Sequence, residues 1–319
     1  MGFLANRLKK RLKHIGKWAR RNGITCFRVY HRDIPEYPLT VDLYEGRAVV
    51  WLSERTRDES VQQKEAYRQE AIAEIKEGLN LSGEGDLYLK ERRPGGQYRR
   101  SGKSEAELVV SENGLKFLVN LSDYHDTGLF LDHRQTRALV AEEVRGKSFL
   151  NLFAYTGSFT VYAAAHGARH TTSVDLSSRY LDWAERNLAL NGLDNDNQTL
   201  IEDDVLEWLK DTVHGRERFD VIVCDPPTFS NSKMTSSVLD IKRDHPGLIK
   251  ACLRLLNPGG ILYFSTNKRG FSLQLEEMPQ IEIKEITAQT VPLDFENAAP
   301  HRCWRLAKKL VRVPAASQS

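Results

Sequence analysis

The sequence predicts an α/β protein, a doubly wound parallel sheet preceded by a small α+β domain. From about Phe149 onward, short apolar or β-branched runs alternate with helix-like stretches, the pattern of parallel strands joined by crossover helices. Before residue 123 the strands come instead as hairpins, marked by Glu45-Gly46-Arg47 and by Glu112-Asn113-Gly114. The 319 residues suit two domains of roughly 100–200 residues each. The expected division is 1–123 for the small domain and 124–314 for the Rossmann-like sheet, with a disordered tail over 315–319.

In chain order, Leu4, Leu8, Leu12, Ile15 and Trp18 or Ala19 recur at helical spacing, which predicts an amphipathic helix. Its other face is basic, because Arg7, Lys9, Lys10, Arg11, Lys13, Lys17, Arg20 and Arg21 all precede the first acid, Asp33. Strands are expected at 25–30, 40–44 and 48–52, a helix over 59–77, and strands at 86–91, 107–111 and 115–121. A helix over 132–144, N-capped by Asp132, leads into the sheet. Sheet strands follow at 149–153, 171–175, 198–201, 219–224 and 260–265. Two late strands, around 282–287 and 303–308, predict an antiparallel hairpin at the end.

Composition narrows the function classes. No apolar stretch approaches the roughly 18 residues of a membrane span, and the basic start has no apolar signal core, so a cytoplasmic location is expected. The four cysteines lack C-x-x-C spacing, which argues against a disulfide framework or a zinc site, and no metal is expected. Net charge is only +3, yet it is concentrated. Besides the first helix, Lys90, Arg92, Arg93, Arg99, Arg100 and Lys103 surround Pro94-Gly95-Gly96-Gln97-Tyr98, a loop that could follow a phosphate backbone.

The chemistry-bearing signal is Val221 to Ser230. A β-branched run stops at Asp225, and Pro226 and Pro227 cannot continue a strand, so the backbone leaves the sheet in one rigid, extended shape. Such a rim can grip the edge of a flat heterocycle, and Phe229 offers it a stacking face. The first sheet strand ends at Asn151-Leu152-Phe153 and runs into Ala154-Tyr155-Thr156-Gly157-Ser158. That loop lacks the Gly-x-Gly-x-x-Gly that brings a backbone to pyrophosphate, as suits a cofactor without phosphate. Asp175 closes the second strand about eighteen residues beyond Gly157, near the spacing at which an acid meets ribose hydroxyls. The third strand runs into Glu202-Asp203-Asp204, where an acid could accept from an adenine amino group. Singly each acid reads as a helix cap or a solvated turn; at three successive strand ends they read as a ligand crevice.

These pieces in this order, with Asp126-Thr127-Gly128-Leu129-Phe130-Leu131-Asp132-His133-Arg134, Asp225-Pro226-Pro227-Thr228-Phe229-Ser230-Asn231-Ser232-Lys233 and Asn267-Lys268-Arg269-Gly270-Phe271, resemble the S-adenosylmethionine-dependent RNA methyltransferases. The resemblance is closer still to the RlmK half of the bifunctional bacterial RlmKL enzymes of 23S rRNA, and it covers essentially the whole chain. It implies S-adenosylmethionine as cofactor, with Phe130, Asp132 and Arg134 in one wall of its pocket. Asn151, Phe153, Tyr155, Thr156, Gly157 and Ser158 then form the loop side, and Asp175, Leu176, Asp203, Asp204 and Asp225 the strand ends. Asp225, Pro226, Pro227 and Phe229 are the expected catalytic group. Expected RNA contacts are Lys9, Lys10, Lys13, Lys17, Arg92 and Arg93, with Lys233, Asn267, Lys268 and Arg269 on the rim. The bifunctional proteins carry a second methyltransferase half and an RNA-binding module ahead of this region. Neither stands in this sequence, so a separate partner supplying the RlmL-like half is an expectation, alongside 23S rRNA or a large-subunit assembly intermediate as substrate.

The chemistry of the candidate target atoms offers one discriminator. Carbon-5 of a pyrimidine needs a cysteine thiolate added to the ring; the related 5-methylcytidine enzymes carry a Ser-Cys-type motif after the fifth strand, where this chain reads Phe264-Ser265-Thr266-Asn267-Lys268. Cys224, inside a β-branched strand, reads as a small core residue. Guanine N7 has an in-plane lone pair and no proton to remove, so positioning alone can carry the reaction. The expected activity is 23S rRNA guanine-N7 methylation, resembling the enzyme for guanine 2069. An exocyclic amine, cytosine C5, and a non-catalytic RNA-binding assembly factor remain the alternatives.

Overall fold

The computed structural model describes residues 2–53, 59–91, 107–230 and 239–310. Two compact units emerge: residues 1–131 with 292–298, and residues 132–291 with 299–319. Arg92, Arg93, Lys233 and the 315–319 tail lie outside the described residues.

In the first unit, α1 (Phe3–Arg21) is followed by β1 (Cys26–His31), β2 (Leu39–Tyr44), β3 (Arg47–Leu52), α2 (Val61–Leu79) and β4 (Leu87–Glu91). The strands form one sheet in the order β1-β2-β3-β4, antiparallel except for the parallel β3–β4 pair. Leu4, Leu8, Ile15 and Ala19 of α1 join Tyr67, Ala71 and Ile75 of α2 over Val29, Val41 and Val50 in one core. The apolar spacing of α1 is thus satisfied, and Lys9, Lys10, Lys13 and Lys17 are exposed on its other face. A separate hairpin, β5 (Glu107–Glu112) and β6 (Leu115–Asn120), turns at Asn113-Gly114, both with positive φ, as a two-residue primed turn requires.

This unit ends after Leu131 rather than at 123. The Asn120 N–H donates to the Thr127 carbonyl and the Tyr44 and Thr127 hydroxyls lie 2.9 Å apart, so the segment after β6 stays with the first sheet. It also recovers a late stretch. Asp294 accepts the Arg28 N–H at 2.9 Å, and the Arg28 guanidinium, bidentate on Asp42, lies 4.1 Å from the Phe295 ring centre. Such a long-range return leaves no local mark in sequence.

The second unit contains α3 (Arg134–Glu143), β7 (Ser148–Leu152), α4 (Ser158–Ala165), β8 (His170–Asp175), α5 (Ser178–Leu190), β9 (Gln198–Glu202), α6 (Val205–Thr212) and β10 (Phe219–Cys224). After them come the short pair β11 (Phe229–Ser230) and β12 (Leu239–Asp240), then α7 (Ile241–Leu255), β13 (Leu256–Thr266), β14 (Ile281–Glu285), α8 (Thr287–Thr290) and β15 (Arg302–Lys308). The sheet order is β14-β15-β13-β10-β7-β8-β9. β13, β10, β7, β8 and β9 run parallel, and the late pair is the expected antiparallel hairpin. β10 shows why its sequence is β-branched throughout: Ile222 and Cys224 enter the core under α6 and α7, while Val221 and Val223 enter the core under α3 and α4. Both faces are buried, as a parallel sheet demands. No described helix is long and apolar enough to cross a membrane.

Candidate active site

Register brings the strand ends into one row. Leu152 of β7 pairs with Cys224 of β10 and with Val174 of β8, so Phe153, Asp225 and Asp175 follow side by side. Asp175 pairs with Glu202, and Cys224 pairs with Phe264 of β13, which sets Ser265 beside Asp225. From β7 the chain steps to β8 and β9 on one side and returns to β10 on the other. The order therefore reverses between β7 and β10, where open α/β sheets form their ligand crevice.

The loop after β7 is strained and pinned. Phe153, Tyr155 and Gly157 have φ of 58°, 50° and 73°, and left-handed backbone at bulky residues is the kind of strain that collects at binding sites. The Tyr155 N–H donates to Asp175 Oδ2 at 2.8 Å, which holds the loop against the neighbouring strand end. From behind, α5 closes on it: the Asn187 amide donates to the Thr156 carbonyl at 2.9 Å, and a Cβ on Gly157 would lie 2.6 Å from Ala184 Cβ. The Tyr155 ring meets Tyr180 edge-on at 4.5 Å. Ser158, which opens α4, lies 3.5 Å from the buried Arg137 guanidinium. Leu176 is half-buried beside Asp175.

The acids divide in role. Asp175 Oδ1 accepts the Ser177 N–H at 3.0 Å and the Leu176 N–H also acts on the carboxylate; with about four lone-pair sites on its two oxygens, it keeps acceptor capacity for ligand hydroxyls. Burial pushes its carboxyl above the ordinary aspartate range, against the pull of those N–H bonds. Asp203 donates its N–H to the Asp175 carbonyl and accepts the Asp204 N–H at 2.7 Å. Asp204 caps α6 through the Leu206 N–H at 2.9 Å, and its other oxygen is buried without a hydrogen-bond partner among the described residues. Asn151 is committed inside the unit: its amide donates to Thr160 Oγ1 at 3.0 Å, itself 2.7 Å from Ser173 Oγ. That polar chain locks β7, α4 and β8 together.

At the β10 end, Asp225 Oδ1 accepts the Ser265 hydroxyl at 2.6 Å, and its Oδ2 lies 3.3 Å from His133 Nε2. Pro226 is buried, Pro227 exposed, and Phe229 is 57% exposed, a free aromatic face at the rim. The Thr228 hydroxyl donates to Asn267 Oδ1, tying this turn to the loop after β13. Lys268 is half-buried and Arg269 exposed.

Asp132 does not cap a helix. It lies in a 3-10 turn over Leu131–His133, and its carboxylate takes His301 Nδ1 at 3.0 Å, a long-range partner that outcompetes the local cap. His301 Nε2 reaches Thr290 Oγ1 at 3.0 Å, and the His133 ring stacks on His301 at 4.3 Å and 15°. Asp132, His133 and His301 present ligand atoms within 4.8 Å of one another. Near-parallel stacking keeps the two rings' in-plane lone pairs side by side rather than converging, and both His301 nitrogens already have partners. Arg134 is buried, and Phe130 belongs to the first unit. The sequence reading missed His133, His301 and Ser265; the first and last stand within strings it had singled out, but nothing local marks them.

Comparison with known proteins agrees with this architecture. Residues 30–291 match the family model of S-adenosylmethionine-dependent methyltransferases. The ribosomal RNA large subunit methyltransferase K of Neisseria meningitidis is 47% identical, over 96% of this chain and 87% of that protein. A K/L protein of Allochromatium vinosum is 50% identical over 95% of this chain but only 42% of its own length, so the chain spans less than half of such relatives. A crystal structure of a candidate methyltransferase complexed with SAH superposes with a TM-score of 0.75 at 24% identity, covering 96% of this chain and 81% of that one. The chain belongs to the S-adenosylmethionine-dependent methyltransferase family, among relatives named for ribosomal RNA large subunit methylation.

Proposed function

We propose that this chain methylates N7 of a guanine in large-subunit rRNA, corresponding to guanine 2069. The observation that carries the reading is the switch-point row, where Asp175 and the Tyr155–Ser158 loop stand beside Asp225 and the exposed ring of Phe229.

The donor set fits the cofactor. Asp175 has acceptor capacity left for ribose hydroxyls, Asp203 stands next along the row for an adenine amine, and a cofactor without phosphate needs no glycine-rich cradle. What the bound cofactor supplies is an electrophilic methyl group on a sulfonium. Asp225 and Phe229 do the rest: the ring stacks the flipped base, and the carboxylate faces the positive charge that N7 alkylation leaves on it, a stabilisation strongest where charge develops. Lys268 and Arg269 meet phosphates at the rim of the second unit, and in the first unit the exposed lysines of α1 also meet phosphates.

A covalent cysteine route is disfavoured by burial. All four cysteines are buried; burial and the neighbouring Cys252 push the Cys224 thiol well above its ordinary range, and burial does the same to Cys303. The test is methyl transfer from labelled donor to 23S rRNA fragments, followed by nucleoside mass mapping. The expected product is 7-methylguanosine. An N2- or N6-methylated purine would place the chemistry on an exocyclic amine, and 5-methylcytidine would overturn the guanine reading.

A further inference from the structure

We propose that His133 and Ser265 are positioning residues that clamp the two carboxylate oxygens of Asp225, fixing the plane it presents to the target base. This rests on the reading of Asp225 as the group that meets that base.

Asp225 stands at a strand end with its side chain partly exposed. Its carboxylate would swing freely there unless held, and a group misaimed by an ångström forfeits much of its effect. Two supports hold it, one for each oxygen. Ser265 comes from the buried end of β13 and gives Oδ1 a hydroxyl at 2.6 Å. His133 stands 3.3 Å from Oδ2.

The His133 ring is itself fixed. It is 5% exposed, stacked on His301 at 4.3 Å and edge-on to Phe159 at 5.8 Å. His301 is in turn held by Asp132 and Thr290. A row of side chains from the end of α8 thus reaches the reacting end of β10.

Burial pushes the His133 imidazole below its ordinary range, although Asp225 and Asp132 pull the other way. The neutral ring carries one N–H. Among the described residues its Nδ1 is buried with no partner, and a bare lone pair is tolerated there better than an orphaned N–H. The hydrogen therefore sits on Nε2, toward Asp225. A neutral donor aims the carboxylate without cancelling its negative charge, as a lysine or arginine in the same place would.

The experiment compares His133→Phe, His133→Gln, Ser265→Ala and Ser265→Thr in single-turnover methyl transfer to an rRNA fragment, with donor affinity by calorimetry and melting temperature alongside. His133→Phe and Ser265→Ala should each slow transfer by about 10- to 100-fold, the rate equivalent of one hydrogen bond to a charged group. Donor affinity and melting temperature should hold. Gln and Thr, which keep a donor, should recover most of the rate. On an Asp225→Ala background neither Phe nor Ala should slow transfer further, because groups acting through one carboxylate are non-additive. Wild-type rates in the single variants, or the same slowing with Asp225 removed, refute the clamp. Clamp dependence with methylation at another atom supports the clamp and overturns the N7 reading; no transfer by wild type sinks both.

Discussion

Gly157→Ala is the sharpest test of how the cofactor loop is built. Gly157 has a φ of 73°, where an L-residue costs about 1–2 kcal/mol. Its new Cβ would also lie 2.6 Å from Ala184 Cβ and 3.2 Å from Ala184 Cα. The second of these atoms is backbone in the middle of α5, which cannot rotate away, and overpacking of this kind costs about 1–3 kcal/mol. Together the substitution should cost about 2–5 kcal/mol, read as a lowered urea midpoint. Any relief comes from lifting the loop off α5, which pulls the Tyr155 N–H from Asp175 and so weakens donor binding. Adding Ala184→Gly removes the clash with the methyl group but leaves the close approach to the α5 backbone and the left-handed strain at residue 157. In a cycle measured against Ala184→Gly alone, Gly157→Ala should therefore still cost about 1–2 kcal/mol or more, yet less than in wild type. A wild-type midpoint and donor affinity for Gly157→Ala would refute the packing argument, and equal costs in both backgrounds would remove Ala184 from it.

Asp175→Ala should weaken donor binding by about 1–3 kcal/mol, the loss of charge-assisted hydrogen bonds, and unchanged calorimetric affinity in the folded variant would refute the ribose assignment. The raised Asp175 carboxyl carries a sign: its stabilising contribution is intact below the unfolded value and lost as pH rises through the folded value. Wild type should therefore lose ground to Asp175→Asn across that interval, and donor hydroxyls, favouring the ionised form, should make binding release protons there; proton uptake in buffers of differing ionisation heat would contradict this. Cys224→Ala should retain methyl transfer, because the thiol is buried and held protonated; abolished transfer in a folded variant would count against direct attack. Replacing Lys9, Lys10, Lys13 and Lys17 with Gln should leave donor affinity intact and flatten the salt dependence of RNA binding by up to about 0.7–0.9 in log–log slope per lost phosphate contact; equal slopes would make this face a solvated surface.

Elements were legible where local pattern and burial agree. The apolar spacing of α1 and the Asn113-Gly114 turn are decided within a few residues, and the sequence marks both. β10 was legible for a less local reason: burial on two faces demands apolar residues at every position, and Val221 to Cys224 supply them. The grouping of the segment up to Leu131, and of residues 292–298, with the first unit depends on contacts such as Tyr44 with Thr127 and Arg28 with Asp294, the latter more than two hundred positions apart in this 319-residue chain.

The site shows the same limit more finely. Acids at successive strand ends suggested one ligand row, and register does align them, but alignment does not make them equivalent. Asp204 stands where α6 begins, and the first-turn N–H of Leu206 claims its Oδ1. Asp175 takes backbone amides on both of its oxygens, and the carboxylate is left able to accept more. Asp132 has the sequence of a helix cap, yet His301 offers it a buried partner and the cap is abandoned. That exchange carries the His133 ring onto the stack beside Asp225. What each of these carboxylates does is thus set by which donor reaches it. Local donors can be read from the next three residues; a histidine 169 positions away cannot.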